Sequence, residues 1–182
     1  MRIVGGRWKG HGLSAPPGRS TRPTMDRTRE AIFNLVGARL DLAAARGGTG
    51  AAVLDVFAGS GALGLEALSR GAARATFVER HGPTLAVARR NARDLGAEGA
   101  VFVRADALAV LGRAGELVDL VLADPPYDLA RLPELPELLR TRLAPDGLAV
   151  LEHDARHAFE DAPGWELSRA YGTTVVSLFR VR

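Results

Sequence analysis

The residues with the plainest chemical meaning are Asp124, Pro125, Pro126 and Tyr127, where the apolar run "LVDLVLAD" ends in an acid, two prolines and an aromatic ring. Two prolines fix two φ angles and remove two N–H donors, so a strand cannot continue through them. The residue before a proline is itself held extended. Asp124 is therefore expected as a rigidly held acid at a strand end. A carboxylate there can accept one N–H of an exocyclic amine while the Pro125 carbonyl accepts the other. That grip turns the nitrogen lone pair, otherwise delocalised into a base ring, toward an electrophile. Tyr127 offers a stacking face for a base taken out of its helix.

A second group of residues lies earlier, in "DVFAGSGALG". Gly59, Gly61 and Gly64 form G-x-G-x-x-G between a strand and a helix, where a ligand can approach the backbone closely. Glu79 follows 20 residues after Gly59 and can accept hydrogen bonds from both hydroxyls of a ribose. Asp106 closes the next strand, near where an adenine amino group would be held. A dinucleotide and S-adenosylmethionine both suit a glycine loop followed by a ribose acid. Asp55 separates them, because a carboxylate repels a pyrophosphate and attracts an ammonium or a sulfonium.

These acids need strand ends to hold them, and the chain supplies strands in alternation with helices. Expected strands are "AAVLDVFA", "ATFVE", "VFVRAD", "LVDLVLAD" and "LAVLEH", with helices at "LGLEALSR", Pro83 to Leu95, "ALAVLGR" and "ELPELLRTRL". A turn is expected at Asp146-Gly147. Strands apolar on both faces, alternating with helices, predict an α/β fold with a doubly wound, mostly parallel seven-stranded sheet. "WELSRAY" and "TVVSLFRV" complete the seven as an antiparallel pair, since the turn at Gly172 is too short for a crossover helix. Before the first of these strands, "RIVGG" and "GLSAP" predict a small N-terminal β-hairpin, and a helix capped by Thr24 carries Ile32, Phe33, Val36 and Leu40 on one face. "LDLAAARGGTG" reads as a linker. The expected division is a basic hairpin arm over residues 1–23 and a catalytic domain over 24–182, with no room for a separate recognition domain.

Charge sharpens that division. Residues 1–29 hold seven basic side chains against the single acid Asp26, although the chain as a whole carries only +3. An arm of that sign suits phosphate, and arginine suits it best. The absence of cysteine excludes a disulfide framework, thiolate zinc sites and a catalytic thiol. No run reaches transmembrane length and "MRIVGGRWKGHG" lacks the apolar core of a signal peptide, so a cytoplasmic protein is expected. His153 and His157 are four apart, which reads as a polar helix or loop face rather than a metal pair, and no metal site is expected. Trp8 is a candidate either for stacking on a base or for anchoring the hairpin.

Taken in order, "RIVGG", "TRPTMDRTREAIFN", "LDVFAGSGALGLEALSRGA", "FVER" and "DPPYD" resemble the RsmD family of bacterial methyltransferases, which act on the exocyclic N2 amine of one guanine in small-subunit (16S) ribosomal RNA. The likeness spans nearly the whole chain. "TRPTMDRTREAIFN" is its most specific part, while the glycine loop and DPPY are common to many amine methyltransferases. The resemblance implies the class I methyltransferase fold. It implies S-adenosylmethionine as cofactor, held by Asp55, Ala58, Gly59, Ser60, Gly61, Glu79 and Asp106, and the guanine held by Asp124, Pro125, Pro126 and Tyr127. It also implies an arm that grips RNA, with Arg7, Lys9, Arg22, Arg27 and Arg29 as contacts. The partner is then ribosomal RNA or an assembling small-subunit particle, met by a monomer. "KGHGL" departs from the family in carrying His11 and Gly12 where more basic side chains are usual. Two other readings use the same residues: an adenine-N6 DNA methyltransferase, and a non-catalytic module that binds RNA or NAD.

Overall fold

Residues 1–16 and 23–181 of the computed structural model are described. The N-terminal segment folds back on itself through one antiparallel bridge, Arg2 to Gly12, around a 3-10 turn at Gly6–Trp8. Only one isolated bridge stands where a hairpin was expected, but the two limbs are also tied by the Ile3 N–H to the His11 carbonyl, the Gly10 N–H to the Ile3 carbonyl and the Leu13 N–H to the Met1 carbonyl, all between 2.9 and 3.0 Å. Helix α1 is Pro23–Gly37. The linker closes in a short turn, α2 (Ala45–Gly48), whose central residues Arg46 and Gly47 are left-handed. The alternating part then runs β1 (Ala52–Val56), α3 (Ala62–Ser69), β2 (Arg74–Val78), α4 (Gly82–Asp94), β3 (Ala100–Val103), α5 (Ala107–Leu111) and β4 (Val118–Ala123). A 3-10 turn at Leu132–Glu134 leads into α6 (Leu135–Arg140), β5 (Leu143–Asp154), β6 (Trp165–Tyr171) and β7 (Thr174–Arg180). Helix α6 is shorter than expected and β5 longer, the four residues before Leu148 being an irregularity in which Asp146 has φ 62°.

The strand order is β3-β2-β1-β4-β5-β7-β6, parallel from β3 to β5 and antiparallel through β7 and β6. The chain winds outward from β1 to β3, then returns to lay β4 on the other side of β1. That reversal opens a crevice beyond the ends of β1 and β4, where ligands bind in open α/β sheets.

Two apolar layers cover the sheet, and the period of two sorts each strand between them. Val53, Phe77, Leu120, Leu122, Leu148 and Val150 pack with Ile3, Trp8, Ile32, Phe33 and Leu65 under the arm, α1 and α3. Leu54, Val78, Val121, Ala149 and Leu151 pack on the other side with Leu111, Leu135 and Phe159. Trp8 is buried in the first layer, so it anchors the arm. His153 is also buried, on β5 and not on a polar face, with Nε2 at 2.8 Å from Ser177 Oγ and Nδ1 at 2.8 Å from the Asp154 carbonyl. Burial holds this imidazole below its ordinary pKa. Among the described residues, no helix is long and apolar enough to cross a membrane.

Helix α3 lies so close to β2 that a Cβ on Gly64 would come within 2.4 Å of the Phe77 ring and 3.0 Å of Asp55 Oδ2. The third glycine of the loop therefore serves helix–sheet packing. Gly64→Ala is expected to destabilise the protein by about 1–3 kcal/mol by overpacking, measured by urea denaturation.

Candidate functional site

Asp55, Glu79, Asp124 and Glu152 stand at the ends of neighbouring strands, and their positions share the parity that faces α1 and α3. Asp55 pairs in register with Phe77 and Leu122, which puts Glu79 two residues beyond one neighbour and Asp124 two beyond the other. Ala123 pairs with Leu151, so Glu152 is the next residue on β5. Period-two alternation then directs all four toward one cleft, against the strong preference of strand interiors for apolar groups.

Asp55 is only 1% exposed, and its carboxylate is half satisfied. Oδ2 accepts the Gly64 N–H at 2.9 Å, whereas Oδ1 has no hydrogen-bond partner. Burial, reinforced by the charges of Asp124 and Glu79, pushes this carboxyl up to about 7 despite the Gly64 bond. An unpartnered buried carboxylate oxygen is an acceptor waiting for a donor or a cation. This fits the ammonium or sulfonium of S-adenosylmethionine and does not fit a pyrophosphate.

The loop after β1 is built for close approach. Phe57, at the strand end, has φ 62°, a left-handed conformation that strains a residue with a Cβ, and strain of this kind gathers at functional sites. Gly61 has φ 81°, and a Cβ there would also meet the Ala88 methyl group at 3.2 Å. Glu79 receives two backbone donors, the Gly59 N–H at 3.1 Å and the His81 N–H at 2.8 Å. They fix the carboxylate beside the loop and leave lone pairs for a ribose. Asp106 accepts the Ala109 N–H at 3.0 Å and so caps α5 as well as facing the cleft.

The cleft has two lobes that share Phe57, Gly59 and Asp124. One, of about 240 Å³, has the apolar walls Val78, Leu108, Pro126 and Leu129 with Glu79 and Asp106 at its polar edge, which suits an adenosine. The other holds Asp55, Ala58, Ser60, Thr28, Arg29 and Glu152. The structure thus brings together Asp124, Pro126 and every cofactor residue expected from the sequence except Gly61, which the loop places behind them. Pro125 is buried, and Tyr127 is partly exposed with its hydroxyl 3.0 Å from Thr174 Oγ1.

The expected RNA contacts divide. Lys9 and Arg27 line an outer groove together with Arg2, and Arg7 lies over the Trp8 ring with 4.1 Å from Cζ to centroid. Arg29 departs from expectation. Its side chain is 4% exposed, and it donates to the Arg2 carbonyl and to Asp26, so packing turns it inward to the cleft. Arg22 lies outside the described residues. Sequence reasoning missed Thr28, Arg29 as a cleft residue, Asn91 and Glu152. The signal for Glu152 was present: an acid ending "LAVLE", a strand apolar on both faces. Asn91 had none, because its partners, Ser14 and the Ser60 carbonyl, are distant in sequence.

Comparison with known proteins follows the same lines. The family described as conserved hypothetical protein 95 matches residues 1–180. The ribosomal RNA small subunit methyltransferase D of Escherichia coli strain K12 is 37% identical over 172 residues, covering 93% of this chain and 83% of that protein. The protein of the same name from Haemophilus influenzae is 30% identical over 183 residues, covering 97% and 91%. Among solved structures, a hypothetical protein of Thermus thermophilus superposes with a TM-score of 0.82 at 32% identity, covering 100% of this chain and 99% of that one.

The Asp55 carboxyl sets a pH dependence whose sign is fixed. Below about 7 it holds a proton in the ligand-free protein, and a cation must displace that proton to bind. Affinity for S-adenosylmethionine, measured by calorimetry, is expected to be constant above about pH 7.5 and to fall by up to about tenfold per unit below 7. Asp55→Asn is expected to bind more weakly and to flatten that profile.

Proposed function

The chain belongs to the family described as conserved hypothetical protein 95, the RsmD family that its motifs resemble, and from that footing we propose that it transfers a methyl group from S-adenosylmethionine to the exocyclic N2 amine of one guanine in small-subunit ribosomal RNA. The observation that carries the reading is one cleft lobe lined by both Asp55, whose Oδ1 is unpartnered, and Asp124, the first residue of the Asp124-Pro125-Pro126-Tyr127 stretch. The first is suited to the cation of a methyl donor, the second to an amine.

When bound, S-adenosylmethionine supplies a methyl group on a sulfonium leaving group. The residues that would hold it are Glu79 at the ribose, Asp106 and the apolar lobe at the adenine, and Asp55 with Gly59 and Ser60 at the amino-acid end. Asp124 accepts one N–H of the guanine amine and the Pro125 carbonyl the other, which directs the nitrogen lone pair across the shared wall of the two lobes. The N–C bond forms as the C–S bond breaks. The alkylated nitrogen then sheds one proton, to Asp124 or to water. Asp124 acts mainly by orientation, since a cationic amine loses its proton readily. Tyr127, with its hydroxyl held by Thr174, presents a ring on which the flipped guanine stacks.

The arm, residues 1–23, is the RNA grip in this reading, with Arg7, Lys9 and Arg22 at phosphates, joined by Arg27 of α1, while residues 24–182 carry the chemistry. The substrate in this reading is small-subunit ribosomal RNA, free or in an assembling particle, in the cytoplasm, and the enzyme acts as a monomer.

Asp124→Ala is expected to lower methyl transfer to unmodified small-subunit particles by at least about a thousandfold while changing cofactor affinity less than about threefold. The measurement uses methyl-labelled cofactor and maps the labelled nucleotide. Retained turnover, or label on duplex DNA in preference to ribosomal RNA, overturns the proposal.

A further inference from the structure

Glu152 has no task in the mechanism above. It ends the apolar alternation of β5, one residue past the register pair Ala123–Leu151, and so stands beside Asp124 on the same face of the sheet. It lines the lobe that holds Asp124, Asp55, Thr28 and Arg29. Acids gathered at a sheet end do not by themselves make a site. Here the same lobe also contains Asp55 Oδ1, buried and without a partner, so the lobe is built to receive donors from a ligand.

The target base presents its groups in a row. Guanine carries the N2 amine, then the ring N1–H, then the O6 acceptor. Adenine carries the N6 amine followed by a ring nitrogen with no hydrogen. A base whose amine sits on Asp124 can lay its N1 edge toward β5, the neighbour of β4 on the side away from β1 and the Asp55 loop. We propose that Glu152 is a specificity-determining residue that accepts the N1–H of the target guanine beside the amine held by Asp124, an inference that rests on the functional reading above. Burial and the charge of Asp124 push the Glu152 carboxyl up to about 8, against the opposing pull of Arg29. Near neutral pH it therefore offers one acceptor and one donor, which match N1–H and O6 in a cyclic pair. A base with a bare ring nitrogen beside its amine forms one of those bonds at most.

The test compares two substrates that differ only on this edge: particles with guanine at the methylated position, and particles carrying 2-aminopurine there. 2-Aminopurine keeps the 2-amine but lacks both N1–H and O6. The wild-type protein is expected to prefer guanine by roughly ten- to a hundredfold in kcat/KM. Glu152→Ala is expected to bring the ratio close to one, and Glu152→Gln, whose carboxamide also offers one acceptor and one donor, to keep it. Thermal unfolding and cofactor titration establish that each variant is folded, with Glu152→Met as the apolar substitute should alanine fail to fold. A wild-type ratio in a folded Glu152→Ala or Glu152→Met protein overturns the inference and leaves the functional reading standing. Failure of the wild-type protein to methylate guanine particles overturns both.

Discussion

The Gly64 N–H donates to Asp55 Oδ2 at 2.9 Å, inside the sheet end, with both groups shut away from water. This contact joins the end of strand β1 to the first turn of helix α3, and it is made only because residue 64 has no side chain to hold the helix away from the Phe77 ring. It stabilises one carboxylate oxygen and leaves the other unpartnered in a low-dielectric site. The strained Phe57, the left-handed Gly61 and the Glu79 bond to the Gly59 N–H all follow the path the loop must take between those two anchored points. A cation-seeking oxygen, a ribose acid and a backbone open to close approach are thus consequences of one packing arrangement.

The arm is coupled to that loop through buried polar contacts. Asn91 of helix α4 exchanges two hydrogen bonds with Ser14 of the arm and donates to the Ser60 carbonyl of the loop, all between 2.9 and 3.0 Å. Glu66, fully buried on α3, accepts the Val4 N–H and pairs with Arg70, while Ser69 Oγ donates to the Gly5 carbonyl and accepts the Trp8 N–H. Removing any one partner would strand a buried polar group, so these bonds fix where the arm lies more firmly than apolar contact could. The segment proposed to grip RNA is thereby held in register with the segment that holds the methyl donor.

The Asp124 loop is held from the opposite side of the cleft. Arg156 donates to the Tyr127 carbonyl and pairs with Asp154, whose carboxyl that guanidinium holds down to about 2, and the Tyr127 hydroxyl meets Thr174 at the start of β7. Strand β4 and its prolines end the sheet, and β5 and β7 decide where the aromatic ring goes. The antiparallel strand pair at the sheet edge therefore takes part in the site although it carries none of the motif residues.

Local pattern sufficed for whatever depends on neighbours in the chain. Alternating apolar runs and helical spacing determine a doubly wound sheet, two prolines determine that β4 stops at Asp124, and acids closing apolar strands mark Asp55, Glu79 and Asp106. The lone arm bridge and the irregular entry to β5 escaped, because the turns beside them use positive-φ residues, Gly6, Gly10 and Asp146, that no period announces. Arg29 is the clearest case. In the sequence it is one more positive charge in a basic segment, and only the approach of α1 to the strand ends, with Asp26 and the Arg2 carbonyl beside it, turns it inward. Glu152 is the converse, an acid whose sequence position is plain and whose meaning comes only from the register that sets β5 beside β4. Periodicity is a property of a few bonds, whereas a cleft is made by strands that meet across a hundred residues, so the sequence by itself determined which chemistry this protein carries and tertiary structure alone decided which side chains share the place where it happens.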